Sequence, residues 1–377
     1  MLRAQHCAAS ASPSADTLPG GRRNTDMTHL LIERLGIDLP ILQAPMAGVS
    51  SPAMAAAVSE AGGLGGLGVA MAGVVGAQAM IKAVRARSNR AFNVNVFVHA
   101  PPPREPVIEQ GWIDHWRPRF AQFGAEPPTA LQNLNTSFAI DDAMLTMLVA
   151  EHPAVVSFHF GLPERARIDA LRDAGVTMLA TVTNLAEARA AQAAGIDAVV
   201  AQGWEAGGHR GLFDPDGDDA CLGTMALVRV LTRQITLPVI AAGGIMDGAG
   251  IDAARALGAV AAQLGTAYVA CDESLADDGY RAALIGAGAH HTIMTRAISG
   301  RPARCLANRF TEAGRAIPGS AIPAYPIAYD LGKALNAVAC AQGEPGFGAH
   351  WAGQGAPLAR ALPAATLTRT LAAEMKA

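Results

Sequence analysis

Eight short apolar runs alternate with alanine-rich stretches of helical character between residues 39 and 272, and glycine clusters sit at the ends of the last two runs. An alternation of this kind predicts an α/β chain with parallel strands, and eight is the number that closes a (β/α)8 TIM barrel. The runs expected as strands are residues 41–46, 63–69, 92–97, 154–160, 177–183, 198–203, 238–244 and 259–268. Between them, residues 51–61, 186–194 and 248–257 read as helices. Several helical stretches end in Ala-Gly or Leu-Gly, at Gly62, Gly175, Gly195 and Gly258. A residue able to take the left-handed conformation stops a helix there.

The rhythm breaks twice. Residues 99–152 form a long connection carrying Pro101-Pro102-Pro103, Trp112 and Trp116, and connections beyond about 12–15 residues usually carry function or a subdomain. After Asp272 the βα pattern stops. The expected layout is a flexible tail over residues 1–27, a barrel over 28–272 with the insertion at about 99–152, and a mainly helical C-terminal cap over 273–377 packing on the barrel mouth. The tail is rich in Ala, Ser, Pro and Gly and lacks the apolar segment of a secretory signal, with Met27 as an alternative initiator. Arg22-Arg23 follows rather than precedes any apolar segment, which argues against a twin-arginine signal.

Composition narrows the function classes. Of 377 residues, 51% are hydrophobic and 16% charged, which suits a large buried core. A formal net charge of -3 offers no bulk attraction to nucleic acid or to an anionic membrane. No apolar stretch reaches the roughly 20 residues of a membrane span. The five cysteines form neither a CxxC pair nor a disulfide framework, so a reducing, cytoplasmic setting is expected. No metal site is expected either: HxH and HExxH spacings are absent, and the adjacent His290-His291 point in different directions. A barrel chemistry built on a loop cysteine is disfavoured because Cys271 and Cys305 have no recognisable activating partner nearby.

Gly63-Leu64-Gly65-Gly66-Leu67-Gly68 matches GxGxxG in letters, but the dinucleotide fingerprint follows a strand and opens a helix. Here a helix precedes and a strand follows, so that reading is rejected. Gly243-Gly244 and Gln263-Leu264-Gly265-Thr266 close the seventh and eighth expected strands. In this barrel those two ends commonly build a phosphate site from backbone N–H groups. Glycine leaves room for the phosphate and Thr266 adds a hydroxyl donor; tight turn geometry is the alternative.

Three further segments carry chemistry. Gln202-Gly203-Trp204-Glu205-Ala206-Gly207-Gly208-His209-Arg210-Gly211 closes the sixth strand. Its glycine pair lets the backbone approach a planar ring, with Gln202 and His209 as polar contacts; a structural role for His209 stays open. In Ser157-Phe158-His159-Phe160-Gly161, alternation puts Ser157 and His159 on one face, opposite Phe158 and Phe160. His159 reads either as a core histidine bonded to a backbone carbonyl or, with that face inside the barrel, as a proton acceptor titrating near neutrality. Tyr325, Tyr329 and Lys333 recur at i, i+4, i+8, one stripe of a helix. That stripe is either a plain surface or a lid presenting two phenols and a cation to an anionic substrate.

Together with Gln43-Ala44-Pro45-Met46-Ala47-Gly48-Val49, these segments resemble the nitronate monooxygenase family over residues 39–333, most of the chain. The resemblance implies FMN-dependent oxidation of small alkyl nitronates, such as propionate 3-nitronate, by O2 to a carbonyl compound plus nitrite, through one-electron flavin reduction. It implies FMN contacts at Ala44, Pro45, Met46, Ala47, Asn95, Gln202, Gly207, Gly208, Gly243, Gly244, Gln263, Leu264, Gly265 and Thr266. His159 would be the catalytic base, needed where a neutral nitroalkane is accepted, and Tyr325, Tyr329, Lys333, His209 and Asn135 would line the substrate pocket. The family often has a Tyr just before Thr136-Ser137-Phe138, where this chain has Asn135. That departure bears on substrate size and on part of the anion contact.

Two other readings compete. Barrel reductases that take electrons from NAD(P)H and pass them to quinones or enoyl thioesters share the Ala-Gly-Gly-His segment. A non-catalytic flavin or phosphate carrier would need the glycine clusters but not His159. The partners expected are a small anionic organic substrate and O2, with neither nucleic acid nor membrane.

Overall fold

The computed structural model describes residues 29–376; the expected tail lies outside them. All eight expected strands form: β1 (Ile41–Gln43), β2 (Gly65–Gly68), β3 (Phe92–Phe97), β4 (Val155–His159), β5 (Thr177–Val182), β6 (Ala198–Gln202) and, after a two-residue strand β7 (Gly208–His209) outside the barrel, β8 (Val239–Ala242) and β9 (Ala261–Leu264). They pair in the order β1-β9-β8-β6-β5-β4-β3-β2, and a parallel bridge between Leu42 and Leu64 brings the two ends together. The chain is a TIM barrel.

Alternation along the strands separates two apolar layers. Leu42, Val155, Leu179, Val200 and Ile240 meet inside the barrel, together with Leu31, Leu35 and Ile37. Val156, Met178, Ala180, Val199 and Ala241 face outward into the helix-covered core. Such strands, buried on both faces, read as near-continuous apolar runs. The interior becomes polar toward the strand ends, where the Ser157 hydroxyl of β4 accepts from Asn93 and Asn95 of β3, each at 2.9 Å.

The Gly63–Gly68 run serves packing. A helix (Pro52–Glu60) precedes it and β2 follows, and a Cβ on Gly65 would lie 2.0 Å from the Ala55 carbonyl oxygen. The glycines expected to stop helices, Gly62, Gly175, Gly195 and Gly258, all have positive φ.

Three expectations are corrected. The last barrel strand stops at Leu264 rather than running to 268, because the chain turns at Gly265 into the short helix Thr266–Val269. The segment after 272 contains strands as well as helices: β10 (Thr292–Thr295) and β11 (Ala303–Leu306) form an antiparallel sheet with β7. The final helix, Ala364–Glu374, does not cover the mouth. It packs against the helices Pro52–Glu60 and Gly248–Ala256, placing Leu367 and Leu371 in the outer barrel core, because its apolar stripe completes that layer.

The 99–152 insertion splits into two pieces. Its helix Asp142–Glu151 returns to the barrel beside Gly73–Arg85, while Pro106–Ala121 packs on Ile327–Cys340. There Trp112, Trp116 and Phe120 join Phe310, Leu331, Leu335 and Phe347 in an apolar cluster of their own. The Trp116 and Phe310 ring centroids lie 4.3 Å apart. The insertion and the late chain thus build one roof around a second core.

Candidate active site

A cavity of about 390 Å3 opens where the barrel strands end and the roof begins. Of the residues singled out in the sequence, Ala44, Pro45, Met46, Ala47, Asn95, His159, Gln202, Gly207, Gly208, His209, Gly243, Gly244, Gln263, Gly265, Thr266, Tyr325, Tyr329 and Lys333 all line it. Two do not. Leu264 is a strand residue whose side chain is buried in the outer core. Asn135 stands behind Tyr325, its side-chain amide group in hydrogen-bond contact with the phenol oxygen at 3.0 Å.

The glycine-rich end of the cavity is held by backbone geometry. Gly243 and Gly244 have φ of 118° and 72°, values that favour glycine, so their own conformation requires them, whatever room a phosphate needs. Gly207 is required by close approach: a Cβ there would meet the Gly353 nitrogen at 2.4 Å. The Gly353 N–H donates to the Thr266 hydroxyl at 2.9 Å, clamping the late chain onto the end of β9. Gln202 is committed to its own loop. It donates to the His209 carbonyl at 3.0 Å and accepts from the Gly211 N–H at 2.7 Å.

At the other end, His159 faces inward with Ser157, as alternation along β4 requires. Phe160 does not fall on the opposite face, because the strand ends at His159 and Phe160 takes a φ of 78°. Its buried ring packs 4.6 Å from His159 and 5.3 Å from Tyr325 between centroids. The His159 Nε2–H donates to the His209 carbonyl at 3.2 Å, which leaves its lone pair on Nδ1. The backbone-bonded histidine and the cavity-lining histidine are therefore the same residue. Nor does His159 titrate near neutrality: burial first, and then the Arg301 and Arg210 charges, push its pKa down to about 4 against its backbone hydrogen bond. Burial likewise takes His209 down to about 3, helped by His159 and Arg301.

These shifts predict acid sensitivity. In the unfolded chain both imidazoles titrate near 6.5, and in the fold they stay neutral well below that. Their contribution to stability is complete above pH ~6.5 and is lost as the pH falls toward the folded values. Urea midpoints are expected to be flat above about pH 7 and to fall between about pH 6.5 and 4.5, with a smaller fall when His159 and His209 are both Gln. A midpoint indifferent to pH over that range would contradict the buried, neutral pair.

Tyr325, Tyr329 and Lys333 meet at the cavity but not on one helix. The helix Ile327–Cys340 begins after Pro326, so Tyr325 sits in the turn before it. Tyr325 is buried, Tyr329 half-buried and Lys333 exposed at the rim. Burial raises both phenol pKa values, offset at Tyr329 by a hydrogen bond with Trp351.

Sequence reasoning missed several contributors. Gly348, Ala349, His350, Trp351 and Gly355 also line the cavity, and the Trp351 ring lies 5.0 Å from His209. Their glycine-rich setting, Gly348-Ala349-His350-Trp351-Ala352-Gly353-Gln354-Gly355, is the one feature of the sequence that marks them. Arg301 is buried, donates to the Leu212 carbonyl and holds its guanidinium 4.0 Å over the Phe160 ring. Burial pushes its pKa down to about 10. Among the described residues no cluster of His, Cys, Asp or Glu is placed to hold a metal ion, and no helix is long and apolar enough to cross a membrane.

Comparison with known proteins identifies the family. The family model described as nitronate monooxygenase matches residues 28–374. The nitronate monooxygenase of Paraburkholderia phytofirmans is 58% identical over 355 residues, covering 93% of this chain and 97% of the relative. That of Pseudomonas aeruginosa is 52% identical over 352 residues, covering 93% of this chain and 100% of the relative. Among solved structures, the nitroalkane oxidase of Streptomyces ansochromogenes aligns with a TM-score of 0.84 at 42% identity, over 91% of this chain and 97% of that one. FabK from Thermotoga maritima aligns less well, with a TM-score of 0.70 at 29% identity over 92% of this chain and 95% of that one. On sequence and fold together, this chain belongs to the nitronate monooxygenase family.

Proposed function

We propose that this chain oxidises small alkyl nitronates, such as propionate 3-nitronate, with bound FMN and O2, yielding a carbonyl compound and nitrite. The observation that carries the reading is a single cavity with two unlike ends: Gly207, Gly243, Gly244, Gly265 and Thr266 at one, and His159, Tyr325, Tyr329 and Lys333 at the other. The nitronate monooxygenase names of relatives at 58% and 52% identity support the choice of substrate.

The residues fit FMN. Backbone at Gly243–Gly244 and Gly265–Thr266 stands at the ends of adjacent barrel strands, where phosphate is commonly held, and the lining between the two ends mixes apolar side chains with few polar ones, as planar cofactors require. Bound FMN supplies one-electron redox chemistry, which the side chains lack. The chain's own groups do the rest. Lys333 at the rim offers positive charge to an anion, and Tyr325 and Tyr329 narrow the space around it. His159, neutral at ordinary pH, offers Nδ1 to the α-proton of a neutral nitroalkane; a nitronate arrives already deprotonated and does not use it.

Anaerobic mixing tests the reading. Bleaching of the bound flavin by propionate 3-nitronate but not by NADH, with nitrite released in air, is the expected result. Bleaching by NADH and not by the nitronate would transfer the chain to the reductase reading, and a protein unable to take up FMN would overturn both.

A further inference from the structure

Behind Tyr325 runs a buried chain of hydrogen bonds that the mechanism above does not use. His99 Nδ1 lies 2.9 Å from the Ala100 carbonyl and its Nε2 lies 3.0 Å from Asn135. The other end of the Asn135 side chain lies 3.0 Å from the Tyr325 hydroxyl. His99 is 6% exposed, and Asn135 and Tyr325 are each 7% exposed, so the relay lies largely out of bulk solvent. The Asn135 amide also touches the Met71 sulfur at 3.3 Å, and Tyr325 and Met71 both line the cavity.

Counting donors leaves two consistent arrangements. A carbonyl only accepts, so His99 Nδ1 carries a proton in both. If Nε2 is also protonated, it donates to the Asn135 oxygen, and the Asn135 NH2 donates to the Tyr325 oxygen. The phenolic proton is then free to point into the cavity. If Nε2 is unprotonated, it must accept, so the amide turns its NH2 toward His99 and its oxygen toward Tyr325. The phenolic proton is now spent on Asn135, and the cavity meets only lone pairs.

We infer that His99 and Asn135 are positioning residues that set whether the Tyr325 hydroxyl donates into the cavity, so that an N-oxyanion binding there takes up one proton at His99. The inference deepens the functional reading above, since it says how an anionic substrate is received. In the absence of an anion, burial first and also Arg301 favour the neutral imidazole, the arrangement with no donor on offer. The charged and titratable groups facing this one are Arg301, Tyr325 and, through the aromatic cluster around Phe160, His159 and His209. An anion in the cavity adds the negative charge that an imidazolium needs and demands the donor that only the charged arrangement supplies.

Sodium nitrite, carrying the charge and the N–O geometry of the nitronate group, is the probe. Its binding to the FMN-loaded protein would be followed by calorimetry near pH 7.5 in buffers of different ionisation enthalpy. The heat should vary with buffer by an amount approaching one proton per site, and nitrite affinity should fall with rising pH, toward about tenfold per pH unit. Tyr325→Phe removes only the hydroxyl and should abolish the proton uptake; His99→Gln should abolish it too and add nothing in the double variant. Buffer-independent heat, no nitrite binding, or uptake that survives in either single variant would overturn the inference, survival in His99→Gln pointing to His159 or His209 instead. A protein that oxidises nitronates without this uptake keeps the functional reading and loses the relay. Uptake without nitronate turnover does the reverse.

Discussion

His159→Gln should lower kcat/KM for a neutral nitroalkane by roughly 10²-fold or more, while turnover of the preformed nitronate stays within about threefold. The asymmetry follows from the bonds His159 makes. Its Nε2 is committed to the His209 carbonyl, so only Nδ1 accepts a proton, and only a substrate that still carries its α-proton calls on it. Gln preserves a donor to that carbonyl and removes the base. Because burial pushes His159 to about 4, the wild-type profile on the neutral substrate should stay level on the acid side until the pH approaches that value. An equal loss on both substrates would assign His159 to binding rather than to proton transfer. Steady-state nitrite release from matched nitroalkane and nitronate preparations measures both arms.

Gly207→Val should weaken binding of the proposed FMN. The added Cβ would fall 2.4 Å from the Gly353 nitrogen and 2.6 Å from the Ala352 carbonyl carbon, backbone atoms that cannot swing aside. Relief requires the 351–355 segment to lift, and the bond from Gly353 to Thr266 goes with it. Overpacking of this kind costs about 1–3 kcal/mol, and about 1.4 kcal/mol is a tenfold change in affinity. FMN dissociation, read from flavin fluorescence on dilution, should therefore weaken by roughly 10- to 100-fold, since the strain falls on the bound arrangement. The far-ultraviolet circular dichroism should stay close to wild type, because the barrel core is not touched. Retention of FMN at wild-type affinity would remove this loop from the proposed phosphate end.

The barrel was legible in the sequence because its determinants are local. Most strands are apolar runs, four of them (β2, β5, β6 and β9) following helix-stopping glycines, and Ser157 and His159 fall on the inner face by a two-residue period. What escaped depends on contacts between remote segments. Trp351 reaches His209 across 142 positions of chain, and no periodicity announces such a meeting. Phe160 escaped for a different reason: the alternation argument holds only within a strand, and its left-handed backbone ends β4 one residue earlier. Tyr325 was assigned to a helix it precedes, yet reached the cavity, because the turn at Pro326 delivers it to the same side. Asn135 was counted as lining and proves to be a support, a distinction that spacing cannot draw.

The roof's separate apolar cluster has an evolutionary consequence. Trp112, Trp116, Phe310 and Leu335 pack with one another and not with the barrel strands, while the floor of the cavity is set by residues on those strands. A substitution that reshapes the roof alters the fit around a substrate without disturbing the layer that closes the barrel. New substrate preferences are therefore within reach of mutations that cost the scaffold little, and variation among relatives in what they oxidise is expected to concentrate in the 106–131 and 293–351 segments.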